Sequence, residues 1–296
     1  MSYQQYRPGG FQILPTVVKN LLIINGIMYL ATWVFQGKFN LDLSSYLGLH
    51  FLTSPDFRPY QFVSYMFMHG RLMHIFFNMF ALWTFGAALE NAWGPKRFFI
   101  FYMVCGIGAG LIQTAVVGWD IHHTQQAMNV FYDSMAPDDF RLFLKEKGFL
   151  ASSDDGFLMR IYNYVFGHKS NQNLLDFIDE WSANKSNQSY AIEAKMFCDG
   201  YLNAKINSVT VGASGAVYGV LLAFGMMFPN ALLYLYFAIP IKAKYAVLLF
   251  GVLELWMGLQ NSGSDNVAHF AHLGGMLFGY FLIIAWKKKQ FRQDDF

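Results

Sequence analysis

Two polar side chains stand inside apolar stretches of this chain. Ser214 lies in Gly212-Ala213-Ser214-Gly215, at the opening of one such stretch, and His272 lies in Ala271-His272-Leu273-Gly274-Gly275 within a later one. A polar group at membrane depth costs several kcal/mol unless it is paired or lines a wet cavity, so its presence there points to function. A serine and a histidine in that setting suggest a nucleophile and its base. His74 and Asn78 are four residues apart and share one helix face, and with the backbone N–H of Ser214 they are suitable donors to a developing oxyanion. Losing one such donor typically costs about 3–4 kcal/mol of transition-state stabilisation. Tyr218 follows Ser214 by one helical turn, where its ring would pack on the imidazole of His272. Alone, Gly-Ala-Ser-Gly reads as a helix-packing motif and His272 as a satisfied polar residue. Their combination, at similar expected depth with few polar competitors, favours chemistry. The soluble-hydrolase elbow Gly-x-Ser-x-Gly is absent, since Ala216 stands where its last glycine belongs.

The elements that position these residues are membrane spans. Hydrophobic residues make up 55% of the chain and charged residues only 14%, with a mean hydropathy of +0.28; soluble domains carry about a quarter charged residues. Six stretches have the length and apolarity to cross the hydrocarbon or most of it: Pro15–Phe35, Leu72–Trp93, Phe98–Trp119, Ala213–Phe228, Lys244–Leu259 and Val267–Trp286. The fold class expected is an all-α polytopic membrane protein, a six-transmembrane-helix bundle with a helical insertion. Small residues at four-residue spacing in the fourth span (Gly215, Gly219, Ala223) and the sixth (Ala271, Gly275, Gly279) allow close backbone approach, which would bring His272 to Ser214. Arg7 and Lys19, Lys96 and Arg97, Lys242 and Lys244, and Lys287 to Lys289 with Arg292 all fall on one side if the spans alternate. The positive-inside rule makes that side cytoplasmic, with both termini. No removable signal peptide is expected at the polar N-terminus.

Residues 1–118 are expected to hold spans one to three, 119–207 an extracytoplasmic insertion, 208–287 spans four to six and 288–296 a cytoplasmic tail. A loop as long as the insertion implies its own structure, and apolar residues recur at helical spacing over Asp138–Phe149 and Asn173–Trp181. Ala231–Lys242 reads as an amphipathic segment lying in the interface. The two cysteines, Cys105 and Cys198, are expected to be at different membrane depths and unpaired. A net charge of +2 gives no indication of a nucleic-acid partner.

These motifs resemble those of the rhomboid family of intramembrane serine proteases. The likeness covers the six-span core and omits the insertion. It rests on His69 and His74-Ile-Phe-Phe-Asn78 in and before the second span, Glu90 ahead of Trp93-Gly94, Gly212-Ala-Ser214-Gly215 with Tyr218 in the fourth, and Ala271-His272-Leu-Gly-Gly275 in the sixth. The resemblance implies a dyad without a third acid, with Ser214 as nucleophile and His272 as general base. It implies His74, Asn78 and the Ser214 amide as the oxyanion site, Tyr218 stacked on the base, His69 in hydrogen-bonded structure behind the site, and Glu90 in a polar network at the inner end of the second span. It further implies transmembrane protein substrates, a bacterial inner (plasma) membrane, and no metal or other cofactor. Many members carry Trp-Arg in the first loop where this chain has Tyr60-Gln61, which leaves the anchoring of that loop open.

His269, one turn before His272, is the competing base; the glycine pattern after His272 favours the latter. A zinc protease is the nearest enzymatic rival, but His69-x4-His74 and His269-x2-His272 are not His-Glu-x-x-His. A catalytically inactive relative that binds client transmembrane helices is the alternative from another class. A transporter is disfavoured by the lack of inverted repeats. The loop Gln260–Asn266 is expected to gate access to Ser214.

Overall fold

The computed structural model of the chain describes residues 11–150, 174–235, 239–260 and 268–294. Five of its helices are long and apolar enough to cross a membrane, and a sixth apolar helix is shorter. The protein is therefore an integral membrane protein built as a helical bundle. Span one is α1 (Thr16–Phe39). A loop carrying short helices α2 (Leu43–Leu47) and α3 (Gln61–Ser64) leads to span two, which comprises α4 (Leu72–Ala81), a π-helical turn Leu82–Gly86 and α5 (Ala87–Trp93). Gly94, at φ +79°, reverses the chain, and Pro95 starts α6 (Pro95–Ser134), where its missing N–H costs nothing.

Helix α6 runs for 40 residues, about 60 Å at 1.5 Å per residue, so it continues well past the expected end of span three at Trp119. Its outer part joins α7 (Pro137–Glu146), α8 (Leu174–Ala183) and α9 (Gln188–Ile206) around a second hydrophobic core that includes Phe131, Phe140, Phe143, Ile178, Trp181 and Phe197. The expected boundary at 118/119 thus falls within a continuous helix. Span four is α10 (Ser214–Met227), only 14 residues long and buried along most of its length.

The segment Ala231–Lys242, expected to lie in the interface, contains an antiparallel pair, β1 (Leu232–Leu235) and β2 (Ile239–Lys242), in register Leu232↔Lys242. Pro240 cannot sit in a helix interior, and the Leu- and Tyr-rich run before it suits an extended strand. Spans five and six are α11 (Ala243–Gln260) and α12 (His269–Asp294). The expected gating loop lies largely outside the described residues, as do Arg7 and the side chains beyond Lys287.

The membrane core turns many large side chains outward. Ile24, Ile27, Leu30 and Trp33 of span one and Leu248, Val252 and Trp256 of span five are all exposed, an arrangement that requires hydrocarbon around them. Inside, spans three, four and six meet through small residues. A Cβ on Gly275 would stand 1.8 Å from the backbone oxygen of Gly215, and one on Gly219 would stand 2.6 Å from Cys105 Sγ.

Candidate active site

Gly212 sets the entrance to span four. Its φ of +131° and its N–H bond to the Tyr65 carbonyl (2.9 Å) turn the chain into α10. A side chain there would lie 2.9 Å from His74 Nε2 and 3.5 Å from Ser214 Oγ, so only glycine lets the His74 ring and the serine hydroxyl flank the same point. Ser214 is the first residue of α10, where the backbone N–H has no partner within its own helix and the helix dipole is positive.

The close seam between Gly215 and Gly275 brings α12 against α10 and places His272 Nε2 2.8 Å from Ser214 Oγ. Tyr218 stacks on the His272 ring, with centroids 4.2 Å apart and planes 8° apart. Behind the ring stands Glu254 of span five, 4% exposed. The Tyr218 hydroxyl donates to its Oε1. His269 Nδ1 lies 2.6 Å from its Oε2. His272 Nδ1 is 2.9 Å from the same Oε2, with the N–H turned off the line to the oxygen, so an aligned hydrogen bond is not made there. The two histidine rings are 6.4 Å apart and perpendicular; His269 therefore faces the carboxylate rather than the serine.

The remaining sequence candidates are less concentrated. Asn78 is buried, and its Nδ2 donates to the His74 carbonyl (2.8 Å), which leaves one amide hydrogen for another acceptor. His69 packs edge-on to His74, with centroids 5.0 Å apart, and both of its ring nitrogens are buried without a hydrogen-bond partner among the described residues. Burial, and secondarily the neighbouring His74, hold its pKa down to about 4. Glu90 is remote from Ser214: its two oxygens accept from the backbone N–H groups of Val17 (2.9 Å) and Val18 (2.8 Å), capping the first turn of span one.

Two residues escaped the sequence reading. Glu254 is a carboxylate within an apolar span, and the reasoning that singled out Ser214 and His272 applies to it equally. Gln61 is fully buried and organises the first loop, with Nε2 donating to the Tyr46 and Asp56 carbonyls and Oε1 accepting from His50 and Arg58 N–H. That loop also pairs with the entrance to span four through the Leu49–Thr210 bridge.

Glu254, His269 and His272 present ligand atoms within 4.8 Å of one another, a donor set able to hold a metal ion. Their closest separations are 2.6 and 2.9 Å, whereas donors around a tetrahedral zinc with bonds of about 2.0–2.2 Å stand more than about 3 Å apart.

Fold and site together define a polytopic helical membrane protein with a serine and a histidine hydrogen-bonded inside the bundle. The profile of the rhomboid domain matches residues 56–121 and 189–289, more than half of the chain, and the chain belongs to the rhomboid family. The match skips residues 122–188, within the insertion. Comparison with curated proteins finds no match.

Proposed function

We propose that this protein is an intramembrane serine endopeptidase that cleaves transmembrane segments of other membrane proteins. The observation that carries this reading is the 2.8 Å contact between His272 Nε2 and Ser214 Oγ at the N-terminus of a buried helix. A substrate helix unwinds locally and presents a carbonyl to Ser214. His272 takes the hydroxyl proton as the Oγ–C bond forms, and the oxyanion is met by the Ser214 N–H and by His74, with the free Asn78 amide hydrogen as a third donor. His272 then protonates the leaving amine, and water, activated by the same imidazole, releases the acyl group. Membership of the rhomboid family supports this chemistry. Both termini are assigned to the cytoplasm and the insertion to the opposite face, as in a bacterial inner membrane, on the distribution of Lys and Arg.

The test is labelling of detergent-solubilised protein with a fluorophosphonate probe, alongside cleavage of a transmembrane reporter. Wild type should label and cleave, Ser214→Ala and His272→Ala should do neither, and His269→Ala should still label. A folded wild type that neither labels nor cleaves would replace this reading with an inactive client-binding relative.

A further inference from the structure

We infer that Glu254 is a positioning residue that completes a Ser214–His272–Glu254 relay, so that this rhomboid protein works with a third, acidic member. The inference rests on the proposed protease reading and adds a group to it. Its basis is convergence. Three groups from two helices, the Tyr218 hydroxyl and the Nδ1 atoms of His269 and His272, lie around one buried carboxylate on the side of the imidazole opposite Ser214. An ionised carboxylate accepts hydrogen bonds and donates none, and a surrounding of such donors suits that form.

The tautomer of His272 follows from this arrangement. A base must present a bare nitrogen to Ser214, so Nε2 must be unprotonated and Nδ1 must carry the hydrogen. Glu254 Oε2, 2.9 Å from Nδ1, is the acceptor placed to hold it there. When Ser214 gives its proton to Nε2 the ring becomes a cation, and the carboxylate faces that charge in a space where screening is weak. The proton stays on the imidazole and Glu254 remains a carboxylate throughout. The present misalignment at Nδ1 fits a resting site, because catalytic hydrogen bonds commonly tighten only with substrate bound. Glu254 acts on the ring a second time through Tyr218, which it fixes by the hydroxyl while the phenol ring lies flat on the imidazole. His269 shares Oε2 and braces the carboxylate from the far side.

Glu254→Gln and Glu254→Asp, assayed for kcat and KM on a transmembrane reporter and for melting temperature in detergent, test this directly. Glu254→Gln should lower kcat by about a hundred- to ten-thousand-fold, the range set by acid-to-amide changes in soluble triads. KM should stay within about twofold, since the lost interaction strengthens only in the transition state. Glu254→Asp should recover at least about tenfold over the amide, because it keeps the charge. A folded Glu254→Gln with wild-type kcat overturns the relay, and so does an Asp variant no better than Gln when both are folded. If Glu254→Gln does not fold, Glu254→Asp decides: kcat down about tenfold at unchanged KM supports the relay, and wild-type kcat sinks it. In each of these outcomes wild type still cleaves, whereas failure of the protease reading itself removes activity from wild type.

Discussion

The protein has two cores made of different materials. Around Ser214 the tightest helix contacts are made by glycine, alanine and Cys105, next to buried Tyr65, Met66, Phe98, Phe101 and Tyr102, while many other large apolar side chains face outward; in the insertion, Phe131, Phe140, Phe143, Phe177, Trp181 and Phe197 turn inward and pack on one another. In lipid there is little to gain from hiding an apolar side chain, so stability comes from backbones lying close enough for dispersion and hydrogen bonding. In water the gain comes from removing aromatic area from solvent. The same chain uses both solutions, and helix α6 belongs to both cores.

Breaking the comparison starts at its tightest point. Gly275→Ala places a methyl group against the Gly215 backbone oxygen, which no rotamer can relieve; it should abolish both folded protein in detergent extracts and Ser214 labelling. Trp181→Ala empties the centre of the aromatic core and should destabilise it by about 3–5 kcal/mol. Hydrogen exchange should then speed up in 128–149 and 174–204, while probe labelling at Ser214 stays within about twofold of wild type. Equal loss of both would show that the two cores fold as one unit.

A smaller effect is expected at His69, which packs on His74. Its folded-state pKa of about 4 lies below the ordinary 6.5, so the unfolded chain binds more protons between those values. The associated stability is complete above about pH 6.5 and fades as pH falls towards 4, amounting to a loss of about 2 kcal/mol between pH 7 and 5. Melting temperatures of wild type should fall over that interval more steeply than those of His69→Gln; parallel curves would refute this. The smallest effect is expected at the Lys205–Asp120 ion pair between α9 and α6, which is partly exposed. A double-mutant cycle there should give a coupling of no more than about 1 kcal/mol, and a clearly larger value would mean that α9 is clamped to α6 electrostatically.

How legible each region was follows from the same division. The spans stand out because lipid requires long apolar runs, and the small-residue spacing at Gly215 and Gly275 foretold a seam that the structure contains. Helix α6 beyond Trp119 was hidden because Asp120, His122, His123, Gln125 and Gln126 interrupt the apolar run while remaining helical. The β1–β2 pair was hidden because its apolar residues fit an interface segment as well as a strand. Gln61 was unreadable as a hub since its partners are backbone groups of a loop, which no side-chain pattern encodes. Glu254 was different: it is visible as a carboxylate in an apolar span, but a two-residue dyad assigns no role to a third acid.

Because α6 runs unbroken from Pro95 to Ser134, the insertion has a fixed angular phase relative to the bundle. A helix without a joint behaves as a shaft. Removing one residue between Trp119 and Met128 would turn everything mounted on its outer end by about 100° and lower it by about 1.5 Å. The faces of α7 and α8 would then point to a different sector of the membrane plane, with Ser214 and His272 untouched. Residue count along this one helix is therefore a compass setting, fixing the direction in which the insertion faces relative to the bundle.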